Sequence, residues 1–383
     1  MKKRITVVSN LYPNCNEANR GLFIRQLVER LAGEFEVSVI CPIPWKPSFL
    51  IKNDQRIPKQ DIINGIKVEY PRHLVIPKMM RFSYGWLMYL SLLPLLKRQH
   101  KHSHIDLISA HWIYPDAFAA TKAAKKLRLP IVVHALGCDI NEYSKYWLRK
   151  IQISDALKAS DLVVVKSRDL ALKSEILGAP ANNIRTIMNG VDRDKFYPDS
   201  MSCARNELGL SKSEKYLLFV GNLQVEKGLI YLLKALPLVT EVDFKLLVIG
   251  DGPQAQMMHQ LVNALAINEQ VSFLGAVEHD QIPRYLNAVD ALCLPSLREG
   301  CPNIVLEALS CGTPVIASNV GAVPDMITDE SKGDIVEPEN SAAIAASLPR
   351  VLALKEANIV QFEWQSWDDN AQAITDIFNE LIV

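Results

Sequence analysis

A chain of 383 residues, 49% of them hydrophobic, carries material for two domains with separate cores. Its 42 Lys and Arg balance its 42 Asp and Glu, but unevenly: residues 1–187 hold 29 basic and 15 acidic side chains, a net of +14, and the rest is −14. No apolar run reaches the ~18 residues of a membrane-crossing helix, and seven cysteines without C-x-x-C spacing argue against a disulfide framework or a zinc site and suit a reducing cytoplasm.

The charge split suggests that the first half faces an anionic surface or ligand. The opening residues MKKRITVVSN begin with charges, as a signal peptide does, but the apolar run is too short and Ile5–Ser9 reads as a first strand. Next, Gly21 precedes an amphipathic helix with Leu22, Phe23, Leu27, Val28 and Leu31 on its apolar side. The segment Met79–His104 is apolar, interrupted by Pro94, and flanked by Lys78, Arg81, Lys97, Arg98 and Lys101. It reads either as an interfacial membrane segment or as a core helix with a basic end. His100, His102 and His104 alternate in a basic loop, unlike a closed structural site, so no metal site is expected there.

Two further strands end in polar residues. AHWIYPDAF puts His111 and Asp116 beyond one, and PIVVHALGCDIN puts His134 and Asp139 at the end of the other. Each is a candidate for ligand contact or for plain loop structure. Ile187–Ser200 is rich in turn-forming residues and reads as a hinge. The expected domains are residues 1–187 and 188–367, with a helix at 368–383 packing back on the first. Asp192 and Asp194 form a D-x-D, but inside the hinge, which argues against a metal role.

In both halves short β-branched runs alternate with helical patterns: RITVVSN, EVSVICPI, IKVEYP, DLISAHW, PIVVHALG and DLVVVKS, then YLLFVGN, FKLLVIGDG, VSFLG, ALCLPS, PVIAS and GDIVEP. Near-continuous apolar strands with helices between them indicate parallel sheets covered on both faces. The fold class is α/β, two facing Rossmann-like doubly wound domains with a cleft between them, and ligands are expected beyond the carboxyl ends of strands.

In the second half FVGNLQVEKGL places Gly221 after a strand and Lys227-Gly228 before a helix, so an ammonium and backbone N–H groups would face an anion. VIGDGP adds a tight Gly250-Asp251-Gly252 turn. In LREGCPNIVLEALSCGTPVIAS, Glu299 precedes a helix that begins near Asn303, and Glu307 lies within it. Orphan N–H groups around Gly300, Cys301, Pro302 and Asn303 would donate to polar oxygens. A carboxylate at Glu307 could take both hydroxyls of a ribose. The alternative is that Glu299 caps the helix and Glu307 is solvated.

NGVDRDKFYP, GNLQVEKG, GDGP, VSFLG, VDALCLPS, REGCPNIVLEALSCGTPVIAS and VGAVPDMI, in this order, resemble the retaining glycosyltransferases of family 4, which have the GT-B fold. The resemblance covers nearly the whole chain. It implies that Glu299 lies beside the transferred sugar, Glu307 on the nucleotide ribose, Lys227 and its neighbour Asn222 at the donor diphosphate, and Gly275 near the base. It also implies that Gly21 and His134 face the donor, with His134, Lys227 and Glu299 as catalytic candidates, and leaves His111, Asp116 and Asp139 as acceptor candidates. Where many members carry Arg this chain has Asn222; Arg298 and Arg25 are possible substitutes.

The expected function is transfer of a sugar, with retained configuration, from a nucleotide sugar to a saccharide or lipid-linked acceptor in surface polysaccharide or glycolipid synthesis. The setting is the cytoplasm, in peripheral contact with anionic membrane, with no nucleic acid partner, cofactor or metal. The family's reaction is a front-face attack in which the leaving phosphate takes the acceptor's proton, so no protein nucleophile is needed. A phosphorylase would need pyridoxal phosphate, for which no lysine context appears; an epimerase generally lacks this spacing of two glutamates; a dehydrogenase would need G-x-G-x-x-G after the first strand. A weakly catalytic sugar-nucleotide-binding protein of the same fold and a soluble enzyme acting on a free saccharide are the alternatives.

Overall fold

The computed structural model describes residues 2–17, 20–45, 57–75, 80–357 and 364–382. Lys78 and Met79, at the start of the apolar segment, lie outside the described residues. The chain divides into two compact units, Met1–Asn189 with Trp367–Val383, and Gly190–Ser366. The C-terminal helix Trp367–Leu381 lies against the helix Leu22–Glu34, through Phe378 on Phe35 at 5.8 Å and Arg30 on Asp368 at 2.6 Å. Because this helix brings only acids, the first unit has 29 basic and 19 acidic residues, a net of +10, and the second is −10.

In the first unit the strands are β1 (Arg4–Val8), β2 (Glu36–Ile40), β3 (Ile43–Trp45), β4 (Gln60–Ile63), β5 (Ile66–Glu69), β6 (Arg72–Leu74), β7 (Leu107–His111), β8 (Ile131–Ala135), β9 (Leu162–Val165) and β10 (Ile184–Thr186). Eight of them form one sheet in the order β10-β9-β8-β7-β1-β2-β5-β4, and β3 pairs with β6. Alternate residues enter opposite cores, as a period of two requires. Ile5 and Val7 face Ile24, Leu27 and Phe378, while Val8 and Ile108 face Met88, Leu92 and Phe118. Each such buried side chain contributes on the order of 1.5–3 kcal/mol.

The sheet is parallel except for β4, which runs antiparallel to β5 through Asn64-Gly65. Both turn residues have positive φ, +48° and +80°, the backbone that a two-residue hairpin of matching twist needs and that Asn-Gly supplies. The helix Tyr84–Ser103 settles the local half of the question left open for the apolar segment. Gly85, Met88, Leu92 and Leu96 are buried, so one face belongs to the core; the other exposes Trp86 and Leu90.

The second unit contains β11 (Tyr216–Val220), β12 (Lys245–Ile249), β13 (Val271–Gly275), β14 (Ala291–Leu294), β15 (Val315–Ser318) and β16 (Gly333–Val336), an all-parallel sheet in the order β13-β12-β11-β14-β15-β16. Both sheets therefore wind outward in two directions from a central pair, β1 and β7 or β11 and β14. At each such pair the connections leave to opposite sides and open a crevice at the carboxyl ends.

Candidate active site

In the second unit the crevice is built by close backbone approaches. Gly250, at φ +136°, packs against the end of β11: a Cβ there would lie 2.0 Å from the Gly221 carbonyl oxygen. Gly228, at φ +66°, packs against the end of β14, where a Cβ would lie 2.0 Å from the Pro295 carbonyl oxygen. The Leu297 N–H donates to the Glu226 carbonyl at 2.8 Å, tying the two loops together. Lys227 and Glu299 consequently meet. The Lys227 Nζ donates to Glu299 Oε1 at 2.8 Å, and the Ser296 hydroxyl donates to the same oxygen at 2.7 Å.

Neither glutamate follows the alternative reading. The helix Asn303–Ser310 has Pro302 at its N-cap and no side-chain capping bond, so Glu299 is not its cap. Glu307 is buried, not solvated, and its Oε1 lies 3.0 Å from His279 Nε2. That hydrogen bond, partly offset by burial, raises the His279 pKa above its ordinary value. Sequence reasoning missed His279; its place just beyond the end of β13 was the available signal. The Glu299–Asn303 loop is clamped from behind. Ala322 N–H donates to the Gly300 carbonyl at 2.9 Å, and a Cβ on Gly321 would come within 2.5 Å of the Glu299 carbonyl oxygen. Cys301 and Asn303, at the start of this helix, are not isolated residues, and no side chain caps the helix there.

Gly275 closes β13 at φ +72°, with open space where a side chain would be, and its carbonyl accepts from Gly250 N–H at 2.7 Å. Asn222 is exposed on the rim. Of its suggested substitutes, Arg298 is exposed and already engaged. Arg25 belongs to the first unit and pairs with Glu29 at 3.4 Å. The second unit thus presents two close pairs, Lys227 with Glu299 and His279 with Glu307.

In the first unit Gly21 stands at φ +60° before its helix, and a Cβ would overlap the Leu11 carbonyl oxygen at 1.6 Å. His111 and His134, neighbours across β7 and β8, stack with ring centroids 3.9 Å apart and planes 10° off parallel. The Ser109 hydroxyl lies 3.0 Å from His134 Nε2 and 3.3 Å from His111 Nε2. Burial first, then nearby positive charge, pushes His111 down to about 3 and His134 well below its ordinary pKa, so both imidazoles are neutral.

Asp139 is fully buried and accepts from the N–H groups of Ile113, Leu136, Gly137 and Ile140. Asp116, also fully buried, accepts from Asn10 N–H at 2.6 Å and bridges β1 to β7; burial raises its pKa to about 8. His111, Asp116 and Asp139, expected as acceptor contacts, are thus all buried. Asp139 and Asp116 hold loop backbone, and the second carboxylate oxygen of Asp116 has no hydrogen-bond partner among the described residues. His134 is equally enclosed.

Among the described residues no three His, Cys, Asp or Glu side chains converge as metal ligands. His100 accepts from the Ile105 N–H at 3.1 Å and closes the end of its helix. What the sequence reading did not find is a cavity of about 460 Å³ beyond the ends of β1, β2 and β7, lined by Arg81, Arg149, Trp112, Tyr114 and Tyr143 among others. The interleaved aromatic and basic residues of YSKYWLRK were the signal for it.

Two doubly wound units, each with polar residues at its central pair of strands, define a GT-B protein with a built crevice on the second unit. Residues 202–361 match the family described as glycosyl transferases group 1, and residues 21–195 match glycosyltransferase family 4. The chain is 30% identical over 259 residues to N-acetyl-alpha-D-glucosaminyl L-malate synthase of Bacillus anthracis, covering 67% of this chain and 68% of that protein. It is 26% identical to the teichuronic acid biosynthesis glycosyltransferase TuaC, a putative assignment, of Bacillus subtilis, over 91% of this chain and 88% of that one. Among solved structures, sucrose-phosphate synthase from Thermosynechococcus elongatus superposes with a TM-score of 0.77 at 21% identity, covering 99% of both chains. HepE of Anabaena, in complex with UDP, superposes at 0.72 and 18% identity over 99% of this chain and 97% of that one. The protein belongs to the family 4 glycosyltransferases and is a glycosyltransferase of the GT-B fold.

Proposed function

We propose that the protein transfers a sugar, with retained anomeric configuration, from a nucleotide sugar held by the second unit to a saccharide or lipid-linked acceptor held by the first, in polysaccharide or glycolipid synthesis. The observation that carries this is the Lys227–Glu299 pair at the β11/β14 crevice, together with the buried Glu307 paired to His279. Structural neighbours crystallised with UDP and with UDP-glucose, and a relative named for teichuronic acid biosynthesis, support the substrate class.

Lys227 would meet the donor diphosphate and offset the charge that develops as it leaves. Glu307 would take the ribose hydroxyls through its second oxygen, Glu299 the transferred sugar, and Gly275 would leave room for the base. Charge compensation by Lys227 makes a divalent ion unnecessary, so activity should survive EDTA. His134, buried and neutral, acts by shape and hydrogen bonding rather than as a charged acid.

The first unit would rest on anionic membrane at the cytoplasmic face. Its net charge of +10 supports this, as do the exposed Phe82, Trp86 and Trp147. Gln152 Nε2 bonds the Phe82 carbonyl at 2.7 Å and so joins the helix carrying Trp147 to the start of the helix carrying Trp86. No helix among the described residues is long and apolar enough to cross a membrane. The seven free thiols are compatible with a reducing compartment.

The experiment is a thermal-shift panel of UDP-, GDP- and ADP-sugars, since a ligand of the native state raises its melting temperature. NMR of the product's anomeric proton then follows with the donor that binds. Binding by none of the panel, or an inverted product, would refute the reading.

A further inference from the structure

The cavity of about 460 Å³ on the first unit lies where a doubly wound sheet places its ligand, beyond the carboxyl ends of β1 and β7. Its walls have an unusual charge balance. Arg20, at the rim, is paired with Glu17. Arg149 is different: it is only 8% exposed, yet no carboxylate among the described residues comes within ion-pair distance of it. Its guanidinium lies over the rings of Tyr143 and Tyr146, at 5.1 and 4.6 Å from their centroids. A buried cation without a counter-charge is costly unless something else supplies one.

Arg81 enters the same cavity from the other side. Its backbone carbonyl accepts from the Tyr114 hydroxyl at 2.6 Å, while its side chain is exposed and has no carboxylate partner among the described residues. Burial raises the pKa of the Tyr143 hydroxyl, and the charges of Arg149 and Arg81 both oppose that rise. Asp139, whose charge also acts on that hydroxyl, is already committed to backbone N–H groups. Trp112 forms the adjoining wall, edge-on to Tyr143 at 6.0 Å, with its backbone at φ +81°. A bulky non-glycine residue held at positive φ is strained, and such strain gathers at ligand sites.

We propose that this cavity binds the acceptor through an anionic group, phosphate or carboxylate, seated between Arg149 and Arg81, with the attached ring against Trp112 and Tyr143. Guanidinium groups present paired donors that match a carboxylate or phosphate edge. The aromatic lining suits the apolar face of a sugar or cyclitol ring. The inference rests on the transferase reading in calling the ligand an acceptor, but the preference of the cavity for anions does not depend on the donor.

The test is calorimetric binding to the full-length chain, with glucose 6-phosphate, galacturonic acid and glucose as soluble probes and a polyprenyl diphosphate in detergent as the lipid-linked one. Arg149→Met, Arg81→Gln and Lys227→Ala are compared with the parent protein. The expected result is binding of at least one anionic probe and at least tenfold weaker binding of glucose. That binding should fall at least tenfold in Arg81→Gln and Arg149→Met and hold in Lys227→Ala. Binding by the soluble anions identifies a free acceptor, and binding by the polyprenyl diphosphate alone a lipid-linked one.

Glucose binding as tightly as glucose 6-phosphate, anion binding unchanged in Arg81→Gln, or binding that vanishes only in Lys227→Ala would overturn the proposal. So would binding of none of the anions. If Arg149→Met does not fold, Arg81→Gln carries the test, because its side chain is at the surface. A nucleotide panel run on the same variants separates the two readings. Normal nucleotide binding with no anion preference sinks only this proposal, and no nucleotide binding sinks only the donor assignment.

Discussion

Replacing Lys227 by Ala removes one side of a 2.8 Å ion pair whose other side, Glu299, is only 11% exposed. Two consequences follow with different magnitudes. In the free protein Glu299 keeps only the Ser296 hydroxyl as partner. A part-buried carboxylate losing a charged donor costs about 1–3 kcal/mol, read as a lower melting temperature. In the nucleotide complex the loss is that of one charge-assisted bond to phosphate, about 1.5–3 kcal/mol, or roughly 10- to 150-fold in Kd.

Glu299→Gln separates these effects. It keeps an acceptor for Ser296 but releases the ammonium from its counter-charge, so nucleoside diphosphate should bind at least as tightly as to the parent while turnover falls. Calorimetry with the nucleoside diphosphate and with the matching nucleoside gives the contrast, because Lys227→Ala should weaken the first and leave the second unchanged. Equal affinity of parent and Lys227→Ala for the diphosphate, or equal losses for nucleoside and diphosphate, would refute the argument that this ammonium meets phosphate.

Asp116 has a folded pKa near 8 against an ordinary value of 3.8, so the folded chain holds its proton where the unfolded chain has released it. Its contribution to stability is full below about pH 4 and is lost as the pH rises to about 8. Asp116→Asn should remove that slope from a plot of melting temperature against pH, and an unchanged slope would disprove the assignment. Asp290 accepts from Arg205 at 2.8 Å and from Tyr216 N–H at 2.6 Å, with both side chains at most 5% exposed. Asp290→Ala should cost about 3–5 kcal/mol in urea unfolding by leaving a buried guanidinium unpaired. For the membrane, Arg98 is committed to the buried Glu69 at 2.7 Å, so the informative double variant is Lys97→Gln with Lys101→Gln. At about 1 kcal/mol per basic residue, co-sedimentation with anionic vesicles should weaken by about tenfold or more and fall further with salt, while nucleotide binding is unchanged. Equal sedimentation of the double variant and the parent would remove these lysines from the interface.

All the long buried strands were legible in the sequence. β1, β2, β5, β7, β8 and β9, and all of β11 to β16, coincide with apolar runs; in β7, β8, β9, β14 and β15 every position is buried, because a strand covered on both faces must be apolar at nearly every position. The short edge strands β4, β6 and β10 were not, since strands solvated on one side or both carry no such run; β4 alternates between exposed and half-exposed residues. Its Asn64-Gly65 turn was readable and went unread. The spacing of Lys227, Glu299 and Glu307, and the glycines around them, was equally local, because close approach of backbones admits only glycine.

Burial was not legible. His111, His134, Asp116 and Asp139 look in sequence like polar residues placed at strand ends for a ligand, and only the packed neighbours show them enclosed. Conversely, Arg81, Arg149 and Trp112 lie far apart in the chain, and of the three only Arg149 falls in a segment, YSKYWLRK, that carries a local signal. What brings them to one cavity is the order of strands in the sheet, a long-range property that no window of sequence contains. A residue's local pattern determines which face of its element it occupies; whether that face meets a core, water or a ligand depends on elements a hundred residues away.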